Sequence, residues 1–283
     1  MRPMVKRSSG GVDVVFEAPR WSERWVLEDD VTMPESSEHE AAITVLKEIL
    51  RAWVERTRRD AVVYANLAVR WDEEHPTVGV DPDVCVVEPA PPEPKLQSLL
   101  IWDPGHCPPR IAIEVVSRKT AKKDYTEGPA KYAACGAGEL WVFDPERRGR
   151  GWMGGPWTLQ VWRRSEEGAF RQVFAGKAPA YSEALGAWLV VTDHGTRLRI
   201  ADDEAGERLW LTAREAESAR ADAERVRTAS AEARADAERV RTASAEARAE
   251  AESARAETES ARAEAERSRA DALAARLAAL EGR

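Results

Sequence analysis

The sequence predicts an α/β or α+β domain of mixed β-sheet, followed by a long C-terminal α-helix. Three observations carry that prediction. Apolar runs of strand length, such as Ile111–Val116 and Leu140–Phe143, alternate with segments of helical periodicity over the first three quarters of the chain. All 11 Trp and all 4 Tyr lie between Trp21 and Trp210, so the material able to build a core is confined there. Beyond Trp210 the composition changes, and the segment 219–232 (ARADAERVRTASAE) recurs without a substitution as 233–246. The 283 residues thus divide into a globular part over 1–205 and a helical part over 206–283.

Within the globular part, Val12–Phe16 reads as a short edge strand. Pro34 to Glu38 has the capping and acidic residues of a helix start, and Ile43, Leu46, Ile49, Leu50 and Trp53 follow at helical spacing to about Arg58. Ala61–Trp71 is strand-like. Two further strands carry Asp83 and Glu114, separated by a connection whose prolines, Pro89 to Pro94, block ladder hydrogen bonds. Lys119 to Asp124 reads as a polar loop. Pro129 suits the first turn of a short helix ended by Gly136-Ala137-Gly138. After Leu140–Phe143 come antiparallel additions at Trp157–Trp162, Phe170–Phe174 and Leu185–Thr192.

Bulk charge narrows the function classes. Of the net −8, the segment from Gly206 holds −2, with 15 Arg against 17 acidic residues, which leaves −6 on the globular part. Sequence-independent binding to nucleic acid works by neutralising phosphates, so here a local basic patch or a metal ion would have to attract such a partner. Cys85, Cys107 and Cys135 form neither a zinc motif nor a disulfide framework. No apolar run approaches membrane-spanning length, so no membrane partner is expected, and the reduced thiols suit a cytoplasmic location.

The chemistry concentrates in two carboxylates. Glu114 sits inside a run apolar on both faces, where an ionised side chain costs several kcal/mol unless it is paired or bound to metal. Asp83 follows Pro82 at the mouth of the preceding strand. Carboxylates on neighbouring strands suit Mg²⁺ (or Mn²⁺), which takes one or two of them plus waters and phosphate oxygens. From spacing alone, an Asp83 that caps a turn and a Glu114 paired with a basic residue fit equally well.

The wider string adds to this. Pro82-Asp83-Val84, Val86-Val87, Ile113-Glu114-Val115-Val116-Ser117, Asp124, Tyr132, Gly136, Glu139-Leu140-Trp141-Val142 and Asp144-Pro145 together resemble the Uma-type restriction-endonuclease family. The resemblance covers roughly Ser36 to Asp203. It implies a restriction-endonuclease-like fold of the PD-(D/E)-x-K superfamily and Mg²⁺-dependent hydrolysis of DNA phosphodiester bonds, with Asp83 and Glu114 as the acidic motif pair. It also implies an acidic helper on the first helix, for which Glu40 is the candidate. The lysine departs from the pattern. Position 116 is Val, and four residues beyond Asp124, where the family commonly has Lys, stands Gly128. Lys131, nearly one turn further along the same helix, is the candidate replacement, whereas Lys119, Lys122 and Lys123 read as a solvated loop run. The alternative is a degenerate nuclease fold that serves as an interaction protein.

The tail is rich in Ala and lacks Gly and Pro before Gly282, which predicts a helix of roughly 100 Å at ~1.5 Å per residue. Small residues recur at alternating four- and three-residue steps from Ala216 through Val226 to Val240, with Leu273, Leu277 and Leu280 as the larger apolar anchors. A coiled-coil arm for self-association or a protein partner and a solitary solvated helix are equally compatible with that pattern.

Overall fold

The computed structural model describes residues 4–8, 11–15, Trp21, Trp25, 37–93, 95–177 and 179–281. Two units emerge, residues 1–216 and 217–283. The first is built on an eight-stranded sheet of β1 (Met4–Ser8), β2 (Gly11–Val15), β3 (Val62–Ala65), β6 (Val84–Val87), β8 (Ile111–Val115), β9 (Glu139–Phe143), β10 (Leu159–Arg164) and β11 (Phe170–Gly176). Their order is β1-β2-β11-β10-β9-β8-β6-β3. Only the β8–β9 pair is parallel, so the sheet is mixed as the sequence predicts.

Every residue of β6, β8 and β9 is buried, which is why these strands lack polar alternation and lie mid-sheet. On one face, α1 (Ser37–Thr57) lays Ile43, Leu46, Ile49, Leu50 and Trp53 against Val84, Val86, Ile111, Ile113 and Trp141. A small sheet of β12 (Ala180–Ser182), β13 (Ala187–Thr192) and β14 (Arg197–Ala201) contributes Leu189, Leu198 and Ile200 to the same core. On the other face, α2 (Ala121–Thr126) and α3 (Gly128–Cys135) bring Tyr125 and Tyr132 over Cys85, Ala112 and Val142. That face also holds a second small sheet, β5 (Gly79–Val80), β4 (Ala68–Arg70) and β7 (Ser98–Leu100).

Three expectations change. Ala61–Trp71 is two strands, because Asn66 takes φ 52° and turns β4 out of the main sheet. Lys119 to Asp124 is not a loop throughout, since α2 begins at Ala121. The N-terminal strand β2 is covered by β1, which takes the sheet edge in its place. Phe16 and the residues Pro34 to Ser36 of the expected helix start lie outside the described residues.

The first unit closes through the start of α4 (Ala213–Glu281). Trp210 stacks on Trp53 with ring centroids 6.4 Å apart. The Thr212 N–H donates to Glu215 Oε2 at 2.8 Å and the Glu215 N–H to Thr212 Oγ1 at 3.2 Å, a reciprocal capping box. The guanidinium of buried Arg199 donates to both Glu215 oxygens. The second unit is the rest of α4, and residues 217–277 are exposed throughout. Among the described residues no helix is long and apolar enough to cross a membrane.

Candidate active site

The β6–β8 ladder pairs Val84 with Ile113. Asp83 precedes and Glu114 follows this last pair, so the two carboxylates belong to the same end of the β6–β8 ladder. Asp83 Oδ2 accepts the Val115 N–H at 2.6 Å, which anchors the carboxylate across the strand end. His39 of α1 approaches from the other side: its Nε2 donates to the Val115 carbonyl at 2.7 Å and lies 3.4 Å from Asp83 Oδ2. Asp83 keeps 12% side-chain exposure, so the cluster reaches solvent there.

Glu114 is buried and accepts the Tyr132 hydroxyl on Oε1 at 2.7 Å. Burial drives its pKa well above the usual carboxylate range, and Asp124 and Asp83 push it further; Lys123 and the Tyr132 hydrogen bond oppose them. Lys123 is half-buried on α2, and the Glu114 carboxylate holds its pKa up. Asp124, 1% exposed, is pushed up to about 7, by burial first, with Asp83 adding repulsion and Thr120, Lys123 and His39 drawing it down. Thr120 Oγ1 accepts the Ser117 N–H at 3.0 Å and shares a hydrogen bond with Ser117 Oγ, and neither Asp124 oxygen has a hydrogen bond of normal geometry among the described residues.

A structural carboxylate in this protein looks different. Glu139, equally buried, accepts five hydrogen bonds, from Arg163 Nε, Trp141 Nε1, the Ser182 hydroxyl and the N–H groups of Glu183 and Ala184. Glu114 and Asp124 are desolvated without such compensation. An oxygen-rich site with orphaned carboxylate atoms is what a hard divalent cation would complete.

The structure thus brings Asp83 and Glu114 together. Lys131 is buried on α3 in the same electrostatic neighbourhood, and its pKa is lowered by burial first and by Lys123 second, with Glu114 opposing. Glu40 is exposed on the solvent side of α1, and its neighbour His39 faces the site. Sequence reasoning missed His39, Lys123 and Asp124 as site residues. The helical period of α1, with His39 four residues before Ile43 on the buried side, was the available signal for His39.

One tight cluster of metal-capable side chains occurs elsewhere among the described residues. Asp72, Glu74 and His75 have ligand atoms within 4.8 Å of one another. Asp72 Oδ1 there accepts the Glu74 N–H at 3.1 Å, and Oδ2 faces His75 at 3.6 Å, so the turn uses its own carboxylate.

No protein of the curated set matches the chain. Among solved structures, a putative nuclease belonging to DUF820 from Anabaena variabilis is similar at 15% identity, over 63% of this chain and 80% of its own, with a TM-score of 0.38. Residues 27–175 match the family model described as "Uma2: Putative restriction endonuclease". That match takes in more than half of the chain, including Asp83, Glu114, Lys123 and Asp124, and the chain belongs to the Uma2 family.

Proposed function

We propose that this protein is a divalent-metal-dependent endonuclease that hydrolyses phosphodiester bonds of DNA. The observation that carries the reading is the pair Asp83 and Glu114 at one end of the β6–β8 ladder, within electrostatic reach of Lys123 and of a buried Asp124 whose oxygens have no hydrogen bond of normal geometry among the described residues. Asp83 and Glu114 would hold Mg²⁺ or Mn²⁺, which when bound polarises a phosphate and lowers the pKa of a water. The chain's own groups do the rest. Lys123, kept charged by Glu114, stabilises the negative charge that develops on the phosphoryl oxygens. Lys131, whose ammonium form burial disfavours, is the lysine more ready to take a proton from the attacking water. His39 fixes the Asp83 carboxylate against the end of β8. Arg118, Lys119 and Lys122 are exposed between Glu114 and Lys123 and form the local basic run that an acidic domain needs to meet a phosphate backbone.

Purified protein is expected to nick or cut plasmid DNA with Mg²⁺ or Mn²⁺ and not with EDTA. Asp83→Ala and Glu114→Ala should each abolish cleavage; cutting that survives both removes the assignment. A second reading, a nuclease fold that binds metal without turnover, is favoured by Gly128 at the position where the family has its lysine. Metal binding in the absence of any cleavage would select it.

A further inference from the structure

On α4, labelling Ala216 as heptad position a puts the small residues at a and d, with Val226 and Val240 at d. The flanks of that seam carry a regular charge pattern. Every e position from 220 to 276 is arginine: Arg220, Arg227, Arg234, Arg241, Arg248, Arg255, Arg262, Arg269 and Arg276. The g positions 222, 236, 250, 257, 264 and 271 are acidic, and 229 and 243 are Ala.

A single helix leaves this pattern unused. Among the described residues none of the nine e-column arginines has an ion-pair partner; Asp222 and Asp236 reach Arg225 and Arg239 at c positions instead. No acidic residue on α4 is followed four residues later by Arg, the order that best supports an isolated helix. Val226 and Val240 are each 70% exposed.

We infer that α4 pairs with the α4 of a second copy of this chain as a parallel, in-register, two-stranded coiled coil. In that arrangement each g residue faces the e residue five positions later on the partner helix, so Asp222 meets Arg227, Asp236 meets Arg241, Glu250 meets Arg255, and the pattern continues to Asp271 with Arg276. An antiparallel pair would set arginine column against arginine column and acid against acid. The charges therefore select direction, and the Ala-rich seam permits close approach of the two backbones. In a parallel pair both chains enter the coil from the same end. Such pairing of α4 is independent of any nuclease activity.

The test uses the full chain carrying Cys107→Ser, with Val226→Cys, Val240→Cys or Ala261→Cys added singly at d positions and Ala249→Cys at an f position as control. Under mild oxidation all three seam variants should form disulfide-linked dimers and the control should not. Linkage at no more than one seam position overturns the proposal, since an antiparallel pair has at most one such crossing. Sedimentation of the unmodified chain should show a dimer as concentration rises; a monomer throughout also overturns it. Charge supplies a second check: Arg227→Glu/Arg241→Glu/Arg255→Glu should lose the dimer while keeping its helical circular dichroism. Mixing it with Asp222→Lys/Asp236→Lys/Glu250→Lys should restore the dimer, and failure to do so contradicts the role given to these columns.

Discussion

Asp124 shows how a side chain can be costly to the fold and still be held in place. Its carboxyl is pushed up to about 7 in the folded protein from an ordinary value of 3.8, so between those values the folded state holds a proton that the unfolded chain has lost. Stability from this group is complete below about pH 3.8 and is lost as pH rises through about 7. In EDTA-treated protein, Asp124→Asn should therefore flatten the fall in stability between pH 4 and 8. It should also raise stability at pH 8 by about 4 kcal/mol, read by denaturant unfolding. A destabilised Asp124→Asn protein would mean that the carboxylate has a partner and a structural task. The contrast with Glu139 makes the same point: a buried carboxylate kept for structure is saturated with donors. Glu114 was legible as a candidate because a charge inside an apolar strand is anomalous on its face, and Asp83 because it stands at the mouth of the preceding apolar strand. Lys123 was not, because a lysine in a basic run looks solvated until the fold half-buries it within electrostatic reach of Glu114.

At the scale of elements, the βαβ passage from β8 through α2 and α3 to β9 positions the basic side of the site. Gly128 opens α3 with Pro129 behind it, and a Cβ at Gly128 would meet only the Lys123 carbonyl, at 3.6 Å, an ordinary contact. A side chain can therefore start there. Lys123→Ala is expected to lower cleavage by roughly 10²-fold, the usual cost of one charge-stabilising donor. Adding Gly128→Lys should recover a substantial part of it. A folded double variant with no recovery would show that the two positions do not serve one charge. Continuous apolar runs identified β6, β8 and β9 but ran β3 and β4 together, since Ala61–Trp71 is almost continuously apolar or aromatic and only the positive φ of Asn66 divides it. Short β7 and β12, three residues each, carry too few residues for a pattern to register. Helix α4 was the most legible element, because Ala and charge repeat over 69 residues without a breaker.

For the whole molecule, the net charge of −8 opposes a polyanionic substrate, so the DNA binding we propose has to come from a few well-placed cations. Lys119→Ala/Lys122→Ala should weaken binding to unrelated DNA sequences about equally and reduce the slope of log affinity against log salt by roughly 1 per lysine removed, measured by fluorescence anisotropy with Ca²⁺ in place of Mg²⁺. An unchanged slope would place the DNA on another surface. The most direct test of the account is calorimetric titration of Mn²⁺ into the full chain at pH 8. One ion per chain should bind, and Asp83→Ala and Glu114→Ala should each eliminate it while leaving the protein folded. Absence of Mn²⁺ binding, or binding that persists when both carboxylates are gone, would contradict it.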